Sequence, residues 1–341
     1  MHTQAFFRFH SLPIRQETTM QTPRFETRSI VLIPEDLTLS DWHARAARAG
    51  LTTLSLHGSP GTIRGFAKSA EGERFLEQCR LLDLKVEYAL HAMRELLPRS
   101  LFDREPDLFR MNESGERTPD ANLCVHAPRA LEIVAEEALR FAEAMRPETG
   151  RHFFWGDDGA PWCRCPQCRP FSDSDQALIM NNYLAGALRR WEPQAKIAHL
   201  AYALTLPPPA RVRPVPGVFL EFAPFYRRYD TPYEAQTAPE DRDPIALLDA
   251  NLAVFGAEDA QILEYWLDVS RFSGWKRPAV RLPWHPQAFA ADLDSYERRG
   301  IRHIACFAVY IDAEYLARYG EPPLPEYGAM LLGEGRGVHP A

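Results

Sequence analysis

HFFWGDD (152–158), SDQALIMNNYLAGALRRW (174–191) and KIAHLAYAL (196–204) make one complete unit of this chain. The first and third are short runs of aromatic and branched residues, as strands are, and the second has the length of a helix. Two strands joined through a helix run parallel, because the crossover returns the chain to the same end of the sheet. Ile179, Tyr183, Ala187 and Trp191 recur at helical spacing and are expected to face the core.

The same alternation extends in both directions. Strands are expected at SIVLIP (29–34), LTTLSLHG (51–58), KVEYALH (85–91), VFLEFAP (218–224), QILEYWLDV (261–269) and IRHIACFAVYI (301–311), which with the two above gives eight. Ser40 is expected to cap the helix in SDWHARAARAG, with Gly50 just past its end. Pro128 suits the first turn of a helix through Met145, whose Leu131, Val134, Ala138 and Met145 form one apolar stripe. Gly300 closes the last such helix before strand eight. A GxGxxG turn after the first strand is absent, which disfavours a dinucleotide-binding sheet. The predicted fold is therefore α/β, a single (β/α)₈ TIM-type barrel over 29–330, with an N-terminal extension 1–28 and a C-terminal tail 331–341. A length of 341 residues is within the range of one such barrel.

Composition excludes several classes. The content is 45% hydrophobic and 25% charged, with no apolar run long enough to span a bilayer. The opening MHTQAFFRFHSLPIRQETTM lacks the apolar core and cleavage site of a secretory signal, so a cytoplasmic location is expected. A formal charge of −7 without basic clusters argues against nucleic acid as a partner. Oligomeric state is not legible. The 29 prolines exceed the usual ~5% share and gather in connections such as PPPARVRPVPG (207–217), implying stiff loops.

In a barrel of this kind chemistry gathers where the strands end in their carboxyl-terminal loops. His57, Asp157, Asp158, Tyr202, Glu221, Tyr226, Asp268 and Tyr310 are expected there. Acids interspersed with aromatics suit carbohydrate, whose rings stack on aromatic faces and whose glycosidic bonds are cleaved by paired carboxyl groups. Trp162 and Trp266 join the expected sugar-binding aromatics, although Trp266 equally suits the core. Against this stands a plainer reading, in which Asp157 and Asp158 only cap a turn ahead of Gly159. By alternation Glu264, Trp266 and Asp268 share one side of strand seven, with Glu264 either functional or a structural ion-pair member.

Of six cysteines, Cys163, Cys165 and Cys168 form CxCxxC. Closed zinc sites take four ligands, and Cys124, in the neighbouring loop, is the expected fourth, with His126 as its substitute. Free thiols or a labile disulfide are the alternative. Cys79 and Cys306 read as core, and His43, His152 and His199 as packed imidazoles. No GxSxG, HExxH or phosphate-cradling loop is present.

PDLFRMNESGERTPDANLCVHAPRALEIVAEEA (106–138), FFWGDDGAPWCRCPQC (153–168), NNYLAGAL (181–188) and HLAYALTLPPP (199–209) together resemble an uncharacterised bacterial family of glycosidase-like barrel proteins. That family is known as a domain of unknown function and is distantly similar to α-glucuronidases and β-N-acetylhexosaminidases. EYWLDVSRFSGWKRPAVRLPW (264–284) and GIRHIACFAVYIDAEY (300–315) resemble its later part. The resemblance marks Cys124, Cys163, Cys165, Cys168 and Asp157 or Asp158 as motif positions, with Tyr202 and Asp268 as weaker ones. Its acid pair often reads Asn-Asp, which makes Asp158 the catalytic choice of the two here. The resemblance implies a glycoside hydrolase and no particular sugar, and uronic acids are included among the expected ligands.

The sequence thus predicts a glycoside hydrolase whose strand-four loop is clamped by structural zinc. Asp158, desolvated by Trp155 and Trp162, is expected to be the general acid with a raised pKa, and Asp268 or Glu221 its partner. A noncatalytic carbohydrate-binding or scaffold barrel is the rival, and a redox switch on the thiols the third reading.

Overall fold

The structure, a computed structural model, describes residues 22–236 and 243–334. Most of the expected N-terminal extension and C-terminal tail lies outside the described residues. Eight parallel strands close into a barrel in chain order: β1 (Thr27–Leu32), β2 (Thr53–Gly58), β3 (Lys85–His91), β4 (Arg151–Trp155), β5 (Lys196–Ala201), β6 (Val218–Phe222), β7 (Gln261–Glu264) and β8 (His303–Phe307). β8 pairs with β1 from His303 opposite Thr27 to Phe307 opposite Val31, which completes the ring. β4 and β6 are buried at every position, as strands must be when one face fills the barrel and the other meets helices.

Helices cover the outside. Pro128–Ala144 begins on its proline, and its Leu131, Val134 and Ala138 are buried as the apolar stripe requires. Asp173–Trp191 starts from a capping box in which Ser172 and Asp175 bond each other's backbone amides. Its buried face differs from the expected one: Leu178, Asn181, Leu184, Ala185 and Leu188 are inside, whereas Tyr183 is 38% exposed. Ala187 remains buried. The cap of the helix Trp42–Arg48 is Asp41 rather than Ser40, and it makes no side-chain capping bond.

The alternation fails once. Between β5 and β6 the only helical piece is the 3₁₀ turn Ala203–Thr205, followed by an extended proline-rich run. Each proline there removes a backbone donor, so a helix cannot propagate. The run is held instead by the preceding helix. Asp175 accepts from the amides of Arg211 and Val212 at 2.8 and 3.0 Å, and Asn182 bonds Arg213 and Val215.

The amino-terminal end of the barrel is covered by the first and last described segments. Phe25 is fully buried, and its amide donates to the carbonyl of Leu331 in the helix Leu324–Leu332. Inside, polar side chains cross the lumen. Trp155 of β4 donates through Nε1 to Glu221 of β6 at 2.7 Å, Gln261 of β7 donates to the other Glu221 oxygen at 2.9 Å, and Arg151 lies 3.9 Å over the ring of Phe219. Burial pushes the Glu221 carboxyl up to about 8, against the pull of Trp155 and Gln261.

Candidate active site and metal centre

At the carboxyl ends of the strands the loops surround a cleft of about 310 Å³. Its floor contains Trp155, Leu263 and Phe307, and its walls carry His57, His91, Tyr202, Tyr265, Tyr310, Phe225 and Trp275. Two carboxyl groups reach it, Asp158 after β4 and Asp268 after β7. Five of the residues expected from the sequence, His57, Asp158, Tyr202, Asp268 and Tyr310, therefore meet in one cleft.

The two acids differ in surroundings. The Asp158 side chain is 66% exposed, with Oδ1 3.9 Å from His91 Nε2, and its charge adds to burial in raising the pKa of the nearby Tyr202 hydroxyl. The expected desolvation of Asp158 by two tryptophans does not occur, because Trp162 turns away and is buried behind Gly156. Asp268 is only 5% exposed. Its Oδ1 accepts from Ser270 Oγ at 2.6 Å and from the Arg271 amide at 3.3 Å, and burial still raises its pKa.

Asp157 takes the plainer role. Its carboxylate accepts from the amides of Arg94 and Asn122 at 3.0 and 2.7 Å and faces the Arg99 guanidinium at 3.5 Å, so it ties the β3 and β4 loops together. Three other expected site residues also lie outside the cleft lining. Glu221 is buried beneath the floor and reaches the cleft only through Trp155. Trp266 packs on Phe289 and donates to Asp292 on the helix Pro286–Arg298, facing the helical layer. Tyr226 stands 73% exposed at the rim, edge-on to Phe225.

Leu263 and Tyr265 face the cleft and Glu264 and Trp266 the helices, and a turn separates Asp268 from the latter two. The strand ends at Glu264, and the chain then turns, with the Asp268 amide bonded to the Tyr265 carbonyl. The turn resets the alternation. Tyr265 enters the cleft with Asp268, while Glu264 and Trp266 face outward. Glu264 is an ion-pair member: Arg227, with a fully buried side chain, bonds Glu264 at 2.7 Å and Asp292 at 2.6 Å, and Tyr296 also donates to Glu264.

The cysteines converge. Sγ atoms of Cys124, Cys163, Cys165 and Cys168 all lie within 4.8 Å of one another, and all four residues are buried. Cys124 is 3.8 Å from Cys165 and 3.7 Å from Cys168. A tetrahedral ion with metal–sulfur bonds of about 2.3 Å needs sulfurs about 3.8 Å apart, so this donor set fits zinc and leaves no open position. Cys163 also accepts from the Met111 and Cys165 amides and from Arg117. Bonds from the Cys124 and Cys168 thiols draw the Cys163 thiol down, and its side of that bond pushes Cys124 up to about 11. Cys168 is pushed up as well, by its bonds to Cys124 and Cys163 and by burial, so of these three only Cys163 is drawn toward the thiolate. His126 is no ligand in this arrangement; its Nδ1 lies 3.2 Å from Cys168 Sγ, beside the cage.

Asn122, unmarked in the sequence, joins the cage to the acids. It has a left-handed φ of 44° two residues before Cys124, a conformation asparagine tolerates. Its Oδ1 accepts from the Asp157 amide at 2.8 Å, and its Nδ2 donates to Ala160 and Pro161. His91, Tyr265, Phe225 and Trp275 were likewise not singled out as site residues. Only His91, at the end of an alternating strand, carried a signal.

Among solved structures, the chain is similar to an endo-β-1,4-glucanase from Xanthomonas axonopodis pv. citri (9% identity, TM-score 0.48, covering 86% of this chain and 90% of that one). It is similar also to the GH20 catalytic modules of a pneumococcal exo-β-D-N-acetylglucosaminidase (10%, 0.48, 92% and 85%). A third is a GH18 chitinase from Cycas revoluta in complex with allosamidin (10%, 0.48, 89% and 99%). No curated protein matches the chain. No helix among the described residues is long and apolar enough to cross a membrane. The family model described as a domain of unknown function, DUF4838, matches residues 10–251, well over half of the sequence, and the chain accordingly belongs to the DUF4838 family.

Proposed function

We propose that the protein binds a carbohydrate in the mouth cleft and hydrolyses a glycosidic bond there, with zinc on the four cysteines bracing the loop that bears Asp158. The observation that carries this reading is the pair of carboxyl groups, Asp158 and Asp268, in one aromatic-walled cleft. They follow β4 and β7, three places apart around a ring of eight, so they approach a bound ligand from different sides. Their difference in burial supports roles the reverse of the sequence expectation. Asp268, buried and with its pKa raised, holds a proton and delivers it to the leaving oxygen. Asp158, open to solvent, acts as the base or nucleophile. Trp275, 60% exposed at the rim, and Tyr202 offer ring faces for stacking.

Zinc would supply no chemistry at the cleft. Held by Cys124, Cys163, Cys165 and Cys168, it fixes the β3 and β4 loops against each other, and Asn122 passes that order to the Asp157–Gly159 turn. A noncatalytic binder is the second reading, favoured by the commitment of Asp268 Oδ1 to Ser270 and Arg271.

Turnover of a panel of activated aryl glycosides distinguishes the two. Asp158→Asn and Asp268→Asn are each expected to slow hydrolysis by at least about 10²-fold while the fold is retained. Sugar binding with no turnover by the wild-type protein supports the binder.

A further inference from the structure

The two imidazoles in the cleft are fixed in orientation by backbone. His57 Nδ1 lies 2.9 Å from the carbonyl oxygen of Ala89, and His91 Nδ1 lies 2.7 Å from that of Gly156. A carbonyl oxygen can only accept, so each Nδ1 must carry the proton and donate it. In a neutral ring that leaves Nε2 as a lone pair. Both residues line the cleft, with ring centroids 5.6 Å apart and edge-to-face. His57 is enclosed by Trp155 and Phe307, at 5.7 and 5.2 Å between centroids, and burial drives its pKa down to about 3. His91 Nε2 stands 3.9 Å from Asp158 Oδ1, too far for a hydrogen bond, so Asp158 does not occupy the lone pair.

The donors in the lining carry no charge. Ser270 Oγ donates to Asp268, and the others are the hydroxyls of Tyr202, Tyr265 and Tyr310 and the Trp275 indole. No lysine or arginine is among the described residues that line the cleft. Two arginines stand beside it, and both are committed. Arg277 stacks on Tyr310 at 4.2 Å and pairs with Asp36 and Asp312, and Arg271 donates to the carbonyls of Phe225 and Arg227. A ligand carboxylate would therefore meet the Asp158 carboxylate and two lone pairs with no cation to balance it, an arrangement that rejects anions.

We infer that the cleft selects an uncharged sugar presenting two hydroxyl donors, which the Nε2 atoms of His57 and His91 accept, and that it excludes uronic acids. The inference rests on the carbohydrate reading above and narrows it. It removes the uronic acids that the family resemblance had admitted.

The test uses the full chain at pH 7. Long-range ¹H–¹⁵N correlation spectra, with His57→Gln and His91→Gln used only for assignment, report which ring nitrogen carries the proton. Both rings are expected as the Nδ1–H form, and a proton on Nε2 of either overturns the inference whatever sugars bind. Methyl β-glucoside and methyl β-galactoside are then titrated against methyl β-glucuronide and methyl β-galacturonide. The neutral member is expected to bind at least about tenfold tighter in each pair that binds, with the shift change at the two Nε2 atoms. A uronide that binds as tightly as its neutral partner overturns the inference while leaving the carbohydrate reading standing. Expected ring forms with no binding of any of the four sugars count against the carbohydrate reading itself, and the inference falls with it.

Discussion

Replacing Asn122 by alanine tests whether the link between the cysteine cage and the acid-bearing turn has energetic weight. The side chain is fully buried and makes three hydrogen bonds, at 2.8, 3.2 and 3.1 Å, to the Asp157 amide and the Ala160 and Pro161 carbonyls. Each is a neutral bond of about 1 kcal/mol, and alanine leaves all three partners unpaired. The φ of 44° adds about 1 kcal/mol for a residue that, unlike asparagine, gains nothing from the left-handed region. The expected loss is about 4 kcal/mol in urea unfolding at an unchanged m value. Asn122→Gly keeps the backbone conformation accessible and is expected to lose about 1 kcal/mol less. Hydrogen exchange should localise the effect, since the Asp157 amide loses its acceptor and should exchange far faster than the amides of β4. A loss below about 1 kcal/mol for Asn122→Ala, or an Asp157 amide that stays protected, refutes the reasoning.

Three further outcomes are expected. Arg227→Met leaves Glu264 and Asp292 buried without their cation and should cost about 3–5 kcal/mol at pH 8 by chemical denaturation, and a loss under about 1 kcal/mol would contradict the buried-pair account. Glu221 has a folded pKa of about 8, above its unfolded value, so the folded state binds the extra proton and wild-type stability should fall as pH rises from about 4.5 through 8. Glu221→Gln cannot ionise and should gain on the wild type at pH 8.5 relative to pH 5; an equal difference at both values would show that Glu221 does not titrate in this window. Elemental analysis of the wild type is expected to find about one zinc per chain, and Cys165→Ser to lose it together with thermal stability; reductively purified wild type without metal would remove the cage.

The eight strands were legible because each carries a buried run between turn residues, and the cysteine cage because its spacing is a local signal joined to one distant partner. The strand ends were not. Six of the expected strands overrun their ladders, four of them by three residues or more, into GDD, YAL, YWLDV and AVYI, whereas the ladders stop at Trp155, Ala201, Glu264 and Phe307. Past β7 and β8 the chain stays largely buried, and burial without a ladder looks like strand in sequence. Asp268 shows the cost, since one turn brought it to the face opposite Glu264 and Trp266, with which alternation had grouped it. Asp157 and Asp158 show the converse: the sequence left open whether the pair was structural or functional, and the two side chains point apart, Asp157 into the loop and Asp158 into the cleft. Asn122 and Arg227 were invisible for a different reason. Their partners are 35 to 65 residues away, and nothing near either in the chain announces the approach.

The depth of the four sulfurs has a kinetic consequence. None of these cysteines exceeds 3% exposure, so neither a chelator nor a thiol reagent can touch the cage while both loops are closed. Attack must wait for local opening, and once the reagent is abundant the rate no longer depends on its concentration. Thiol labelling under native conditions thus becomes a clock for the excursions of the very loop that carries Asp158, timed without reference to any substrate.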